Sequence, residues 1–134
     1  MTATPKLLIV EAERQVSSLL RIILVRAGYE VWTAGSAEEA IKTWVSCMNF
    51  DAVISETLLP GMDGHEFARQ VAACCPSSRH IFVCASNTDC EACPHAPRCP
   101  RIGKPFDPKE LVRAVAEVLK DRPDRLGLLR NHEN

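Results

Sequence analysis

Ala52-Val53-Ile54-Ser55 is apolar until its end, and beyond Glu56 the chain continues as Leu59-Pro60-Gly61-Met62-Asp63-Gly64. A short apolar run without polar alternation marks a strand covered on both faces. The six residues after it are crowded with turn formers. Moving toward the N-terminus, Leu7-Leu8-Ile9-Val10 repeats the buried-strand pattern. Val16, Leu19, Leu20, Ile23 and Ala27 follow at helical spacing and stop at Gly28. Tyr29–Ala34 reads as another strand, and Ser36-Ala37-Glu38-Glu39 is a capping box that opens a helix through Ala40, Ile41 and Trp44.

Toward the C-terminus, Phe67, Val71 and Ala72 lie on a helix that ends before Pro76, and Ile81-Phe82-Val83-Cys84-Ala85 is a fourth strand. A last helix has Asp107 as cap, Pro108 in its first turn and Glu110 three residues after the cap. Leu111, Val112, Val115, Val118 and Leu119 share one side of it. Strands alternating with helices at this spacing predict βαβ units around a parallel sheet. Ligands and chemistry then gather beyond the carboxyl ends of the strands. Those ends are Glu11-Ala12-Glu13, Glu56, Cys84-Ala85-Ser86 and Gly103-Lys104.

The chain of 134 residues suits one domain, and 46% apolar with 25% charged residues is the balance of a globular fold rather than a disordered one. Its longest apolar runs fall far short of the roughly 18 residues of a membrane span. Met1–Lys6 lacks the apolar core of a secretory signal, so a cytoplasmic location is expected. Sixteen basic against seventeen acidic residues give a net charge of −1, which argues against broad binding to nucleic acid or an anionic membrane. Seven cysteines, an odd number without a secretory signal, do not suggest a disulfide framework.

Three segments in this order resemble the receiver domain of bacterial two-component response regulators, over about Lys6 to Lys120: Leu8-Ile9-Val10 with Glu11-Ala12-Glu13, Leu59–Gly64, and Lys104-Pro105-Phe106. The resemblance implies a flavodoxin-like (βα)5 fold, a doubly wound parallel sheet of strand order 2-1-3-4-5. It implies a receiver-like domain over 1–120, with 121–134 a charged C-terminal tail whose Leu126-Gly127-Leu128-Leu129 patch reads as a frayed end. It also implies a cis peptide bond between Lys104 and Pro105. In the family, a carboxylate takes a phosphoryl group from a histidine kinase or a small phosphodonor. Acidic residues and Mg²⁺ neutralise the phosphoryl oxygens, because such transfer needs mainly positioning and charge stabilisation.

Carried onto this chain, the phosphoacceptor position falls at Glu56, four residues before the loop proline. The acidic pocket falls at Glu11 and Glu13, and Ala12 stands where the family has its direct metal ligand. A methyl group cannot bind Mg²⁺, so that cofactor is not expected. The switch positions fall at Cys84, a poor hydrogen-bond donor, at Arg101 in place of an aromatic residue, and at Lys104, which alone is unchanged. The extra methylene of Glu56 moves a carboxylate on the order of 1 Å, enough to cost about a hundredfold in rate. Glu56 therefore has two readings: a fixed strut paired with Lys104, or a mimic of the phosphorylated state. An active receiver phosphorylated on Glu56 is the alternative to both.

The family's fourth helix would lie between Ser86 and Arg101. Pro94, Pro97 and Pro100 forbid a regular helix there, at about 3 kcal/mol or more for each interior position, so a shortened helix or a Cys/Pro-rich loop is expected. Cys90, Cys93, His95 and Cys99 offer four soft ligands for Zn²⁺. Three cysteines with a Cys-Pro ending also suit an iron–sulfur cluster, with Cys75 or Cys84 as a fourth thiolate. Unreactive packed thiols and a redox-sensing disulfide remain alternatives. Cys47 reads as a helix residue and nothing more, Cys74 and Cys75 as packing residues, and His65, His80 and His132 as surface residues.

The expected function is a signalling module rather than an enzyme: a pseudo-receiver acting through contacts with a histidine kinase or downstream effector. A metal- or redox-sensing module on the same scaffold is the alternative. No output domain is expected in a chain of this length, nor nucleic-acid or membrane contact. Homodimerisation through the last strand and last helix is the family's habit.

Overall fold

The computed structural model describes residues 4–84 and 100–121. The chain runs β1 (Lys6–Val10), α1 (Arg14–Arg26), β2 (Glu30–Ala34), α2 (Ala37–Glu39, continued with π-type winding over Ala40–Val45) and β3 (Ala52–Glu56). It continues with β4 (Leu58–Leu59), β5 (Met62–Asp63), α3 (Gly64–Cys74), β6 (Arg79–Cys84), β7 (Arg101–Gly103) and α4 (Pro108–Asp121). Five strands form one parallel sheet in the order β2-β1-β3-β6-β7, while β4 and β5 make a separate two-residue antiparallel ladder. With that ladder set aside, the order is the expected 2-1-3-4-5. The segment expected as a shortened fourth helix or Cys/Pro-rich loop, the cluster Cys90, Cys93, His95 and Cys99, and the tail after Asp121 lie outside the described residues.

Alternate side chains of the strands cover opposite faces, as period-two geometry requires. Leu7, Ile9, Ile54, Ile81 and Val83 pack with Leu20 and Leu24 of α1 and with Leu111, Val115 and Val118 of α4. Leu8, Val10 and Val53 pack with Ala37, Ala40 and Val45 of α2 and with Phe67 and Val71 of α3. A continuous apolar run is therefore right for β1 and β3, which lie inside the sheet with helices on both sides.

The helix signals hold in detail. Ser36 Oγ accepts from the Glu39 N–H at 3.1 Å, and the Glu39 carboxylate reaches back to the Gly35 N–H at 2.9 Å. At α4, Asp107 Oδ1 accepts from the Lys109 N–H and Glu110 Oε1 from the Asp107 N–H. Gly28, at φ +104°, ends α1 with bonds from its own N–H to the Val25 carbonyl and from the Tyr29 N–H to the Leu24 carbonyl, the Schellman arrangement.

Four expectations need correction. Leu19 is half exposed and forms, with Ile22 and Val25, an outward apolar stripe on α1 instead of joining the core. Cys74 is exposed at the end of α3, whereas Cys75 beside it is buried. His65 is half-buried, with Nδ1 3.7 Å from Asp63 Oδ1. His80 faces inward, because residue 80 shares a side of β6 with buried Phe82 and meets the Phe67 ring at 5.7 Å.

Candidate functional site

The carboxyl ends of β1, β3 and β7 bring Glu11, Glu56 and Lys104 together. The Lys104 Nζ lies 2.9 Å from Glu56 Oε2 and 3.5 Å from Glu11 Oε1. The Glu11 side chain is only 3% exposed, against 20% for Glu56 and 23% for Lys104. Its second oxygen, Oε2, accepts from the Glu13 N–H at 3.1 Å. Two carboxylates thus share one ammonium in a largely enclosed place.

The electrostatics follow from that count. Burial pushes the Glu11 carboxyl above the usual carboxylate range; the Glu13 N–H works against the rise, and the neighbouring Glu56 adds to it. For Lys104, burial works against the ammonium. The Glu56 hydrogen bond and the charges of Glu11 and Glu56 outweigh it and hold the pKa above the ordinary lysine value.

Local sequence fixes these positions. The Lys104 N–H donates to the Cys84 carbonyl at 2.8 Å, and the Lys104–Pro105 peptide bond is cis, as the resemblance implied. Glu56 ends β3, and buried Thr57 turns the chain into the β4–β5 ladder. Pro60 and Gly61, the latter at φ +78°, make the turn between Leu59 and Met62, where only glycine takes a positive φ without strain. Gly64 closes the loop, its N–H donating to the Thr57 carbonyl at 2.9 Å. A Cβ at residue 64 would stand 2.4 Å from the Glu56 carbonyl oxygen and 2.9 Å from Thr57 Cα. The loop's last glycine is therefore a spacing requirement directly behind Glu56.

The remaining candidates stand apart. Glu13 is exposed at the start of α1, Ala12 is exposed beside it, and Arg101 is exposed on β7. Cys84 is buried with Phe82 and Ala68. Among the described residues, no group of three or more His, Cys, Asp or Glu side chains is placed to hold a metal ion. Sequence reasoning missed Thr57 and the closeness of Gly64 to Glu56; a buried threonine after a strand-end acid has no distinguishing pattern.

Comparison with known proteins agrees with this geometry. The model of the response regulator receiver domain matches residues 7–116. The chain belongs to that family. Receiver domains are signalling modules of two-component systems that meet histidine kinases and effectors, and they typically use Mg²⁺ at the phosphorylation site. This receiver domain is 31% identical over 115 residues to the DNA-binding transcriptional regulator NtrC of Azospirillum brasilense, covering 84% of this chain and 24% of that protein. It is 30% identical over 121 residues to the transcriptional regulatory protein ResD of Bacillus subtilis, covering 89% and 50%. The chain thus spans a quarter to a half of these curated relatives. Among solved structures, a CheY-like receiver domain protein from Methanospirillum hungatei superposes with a TM-score of 0.78 at 25% identity, covering 89% of this chain and 96% of that one. The response regulator TrrA of Thermotoga maritima, solved in complex with Mg(2+)-BeF, gives 0.75 at 28% identity, covering 86% and 99%. In this receiver domain no described helix is long and apolar enough to cross a membrane.

Proposed function

We propose that this receiver domain is a pseudo-receiver. It works without phosphorylation, through contacts with a protein partner, either a histidine kinase or a downstream effector, in the cytoplasm. One observation carries the reading: the Lys104 ammonium stands between Glu56 and Glu11, at 2.9 and 3.5 Å, in a site where residue 12 is alanine. The residues do not fit Mg²⁺, which asks for near-octahedral oxygen ligation. Ala12 supplies no side-chain oxygen, Glu11 Oε2 is held by the Glu13 N–H, and Glu11 Oε1 and Glu56 Oε2 face an ammonium. Glu56 is then a paired strut rather than a phosphoryl acceptor, and Cys84 and Arg101 take no part in a phosphorylation switch. The module performs no catalysis of its own and meets neither nucleic acid nor membrane directly. β7 and the exposed side of α4 form the face for a homodimer.

The test is exposure to acetyl phosphate with Mg²⁺, read by intact mass, and to beryllofluoride with Mg²⁺, read by NMR. The expected result is no phosphoryl adduct and no beryllofluoride-dependent shift at Glu56. The paired substitution Ala12→Asp/Glu56→Asp serves as the positive control and is expected to recover Mg²⁺-dependent uptake. An adduct on the unaltered protein that disappears in Glu56→Gln would overturn the reading.

A further inference from the structure

Beside the acidic site, α1 and the end of β2 enclose a cavity of about 350 Å³. Its helical wall is Arg14, Ser17, Ser18 and Arg21, at i, i+3, i+4 and i+7 and therefore on one face of α1. Within the cavity that wall carries no apolar side chain; exposed Val25, one turn beyond Arg21, lies outside the lining. Thr33 and Gly35 stand on the opposite wall. The cavity's two carboxylates are already engaged, Glu11 by Lys104 and the Glu13 N–H, and Glu39 by the Gly35 N–H. Neither Arg14 nor Arg21 makes an ion pair among the described residues. The cleft therefore holds two guanidinium groups that make no direct ion pair with the Glu11 and Glu39 carboxylates in its lining, with hydroxyls between them and across from them.

We infer that this cleft is a binding site for a small molecule bearing oxyanion groups, phosphate or carboxylate, held between Arg14 and Arg21 with Ser17, Ser18 and Thr33 bonding its polar oxygens. The guanidinium fork matches either oxyanion. The volume suits a metabolite-sized ligand, since such sites begin at about 300 Å³. Small Ala12 at the mouth leaves the cleft open next to Glu11, so a bound anion would neighbour the carboxylate–ammonium cluster. The site is independent of how Glu56 functions.

Titration of the whole chain with inorganic phosphate and, separately, with succinate tests this, read by amide NMR shifts against chloride at matched ionic strength. Saturable shifts confined to residues 14–21 and 33–35 are expected with at least one anion, and the stronger binder identifies the oxyanion class. Arg14→Gln/Arg21→Gln should weaken binding by about tenfold or more. Arg26→Gln, an exposed cation on the same helix but outside the cleft, should leave it unchanged. Shifts absent with both anions, or equally reduced by Arg26→Gln, would overturn the assignment.

Discussion

The Nε2 of His80 stands 2.6 Å from the Oγ of Ser55, joining two neighbouring strands inside the sheet. The ring packs against Phe82 at 4.7 Å and Phe67 at 5.7 Å, and its Nδ1 is buried without a hydrogen-bond partner among the described residues. Burial first, and the charge of His65 second, push its pKa down from 6.5 to about 3. A histidine held neutral in the fold gains its proton only by unfolding. Its contribution to stability is thus complete above pH 6.5 and declines as the pH falls toward 3.

Urea unfolding across that window should show stability falling by about 1.4 kcal/mol per pH unit from this one group. The double substitution Ser55→Ala/His80→Phe removes both polar partners and should flatten the slope. An unchanged slope in the double variant would mean that other groups drive the acid response.

Glu11 works in the opposite sense. Its pKa is raised in the fold, so its contribution is most favourable below the ordinary Glu value and is lost as the pH rises through the folded one. Glu11→Gln keeps an acceptor for the Glu13 N–H and removes the enclosed charge. It should stabilise the protein at pH 7 and leave it unchanged at pH 4, measured by denaturant midpoints at the two values.

Lys104→Met leaves Glu11 and Glu56 facing one another without a counter-charge. A loss of about 2–4 kcal/mol is expected at pH 7, toward the lower end because the group is partly solvated. Adding Glu56→Gln should restore part of it. A double-mutant cycle giving no coupling would deny that the pair is energetically linked.

Gly64→Ala places a methyl group against the backbone of Glu56 and Thr57. A destabilisation of about 2–4 kcal/mol should follow, with displaced Glu56 resonances. Gly61→Ala, where space is open but φ is +78°, should cost only about 1 kcal/mol. Thermal melts of the two variants separate crowding from backbone strain.

The strands were readable because Leu7–Val10 of β1 and Ala52–Ile54 of β3 are unbroken apolar runs, and the caps because Ser36 and Asp107 each carry a glutamate three residues on. Other features leave no one-dimensional trace. Ala40–Val45 has nothing to distinguish π-type from α-type winding, yet the Ser46 N–H reaches the Ile41 carbonyl. Glu11 and Glu13 look alike as letters; one continues the strand and is enclosed, while the other opens a helix and faces water. The inward turn of His80 depends on a serine 25 residues earlier in the chain. Leu19 lies next to the core stripe, and the helical period alone drew that stripe one residue too wide.

Lys104 and Glu11 are separated by 93 positions. During synthesis both carboxylates leave the ribosome long before their ammonium does. Until β7 reaches the edge of the sheet, the first and third strands carry two like charges toward the same spot. Loop closure over such a distance comes late, so docking of the last strand both completes the sheet and relieves that repulsion. The contact that characterises the site is also a seal on folding, available only once synthesis has passed Lys104.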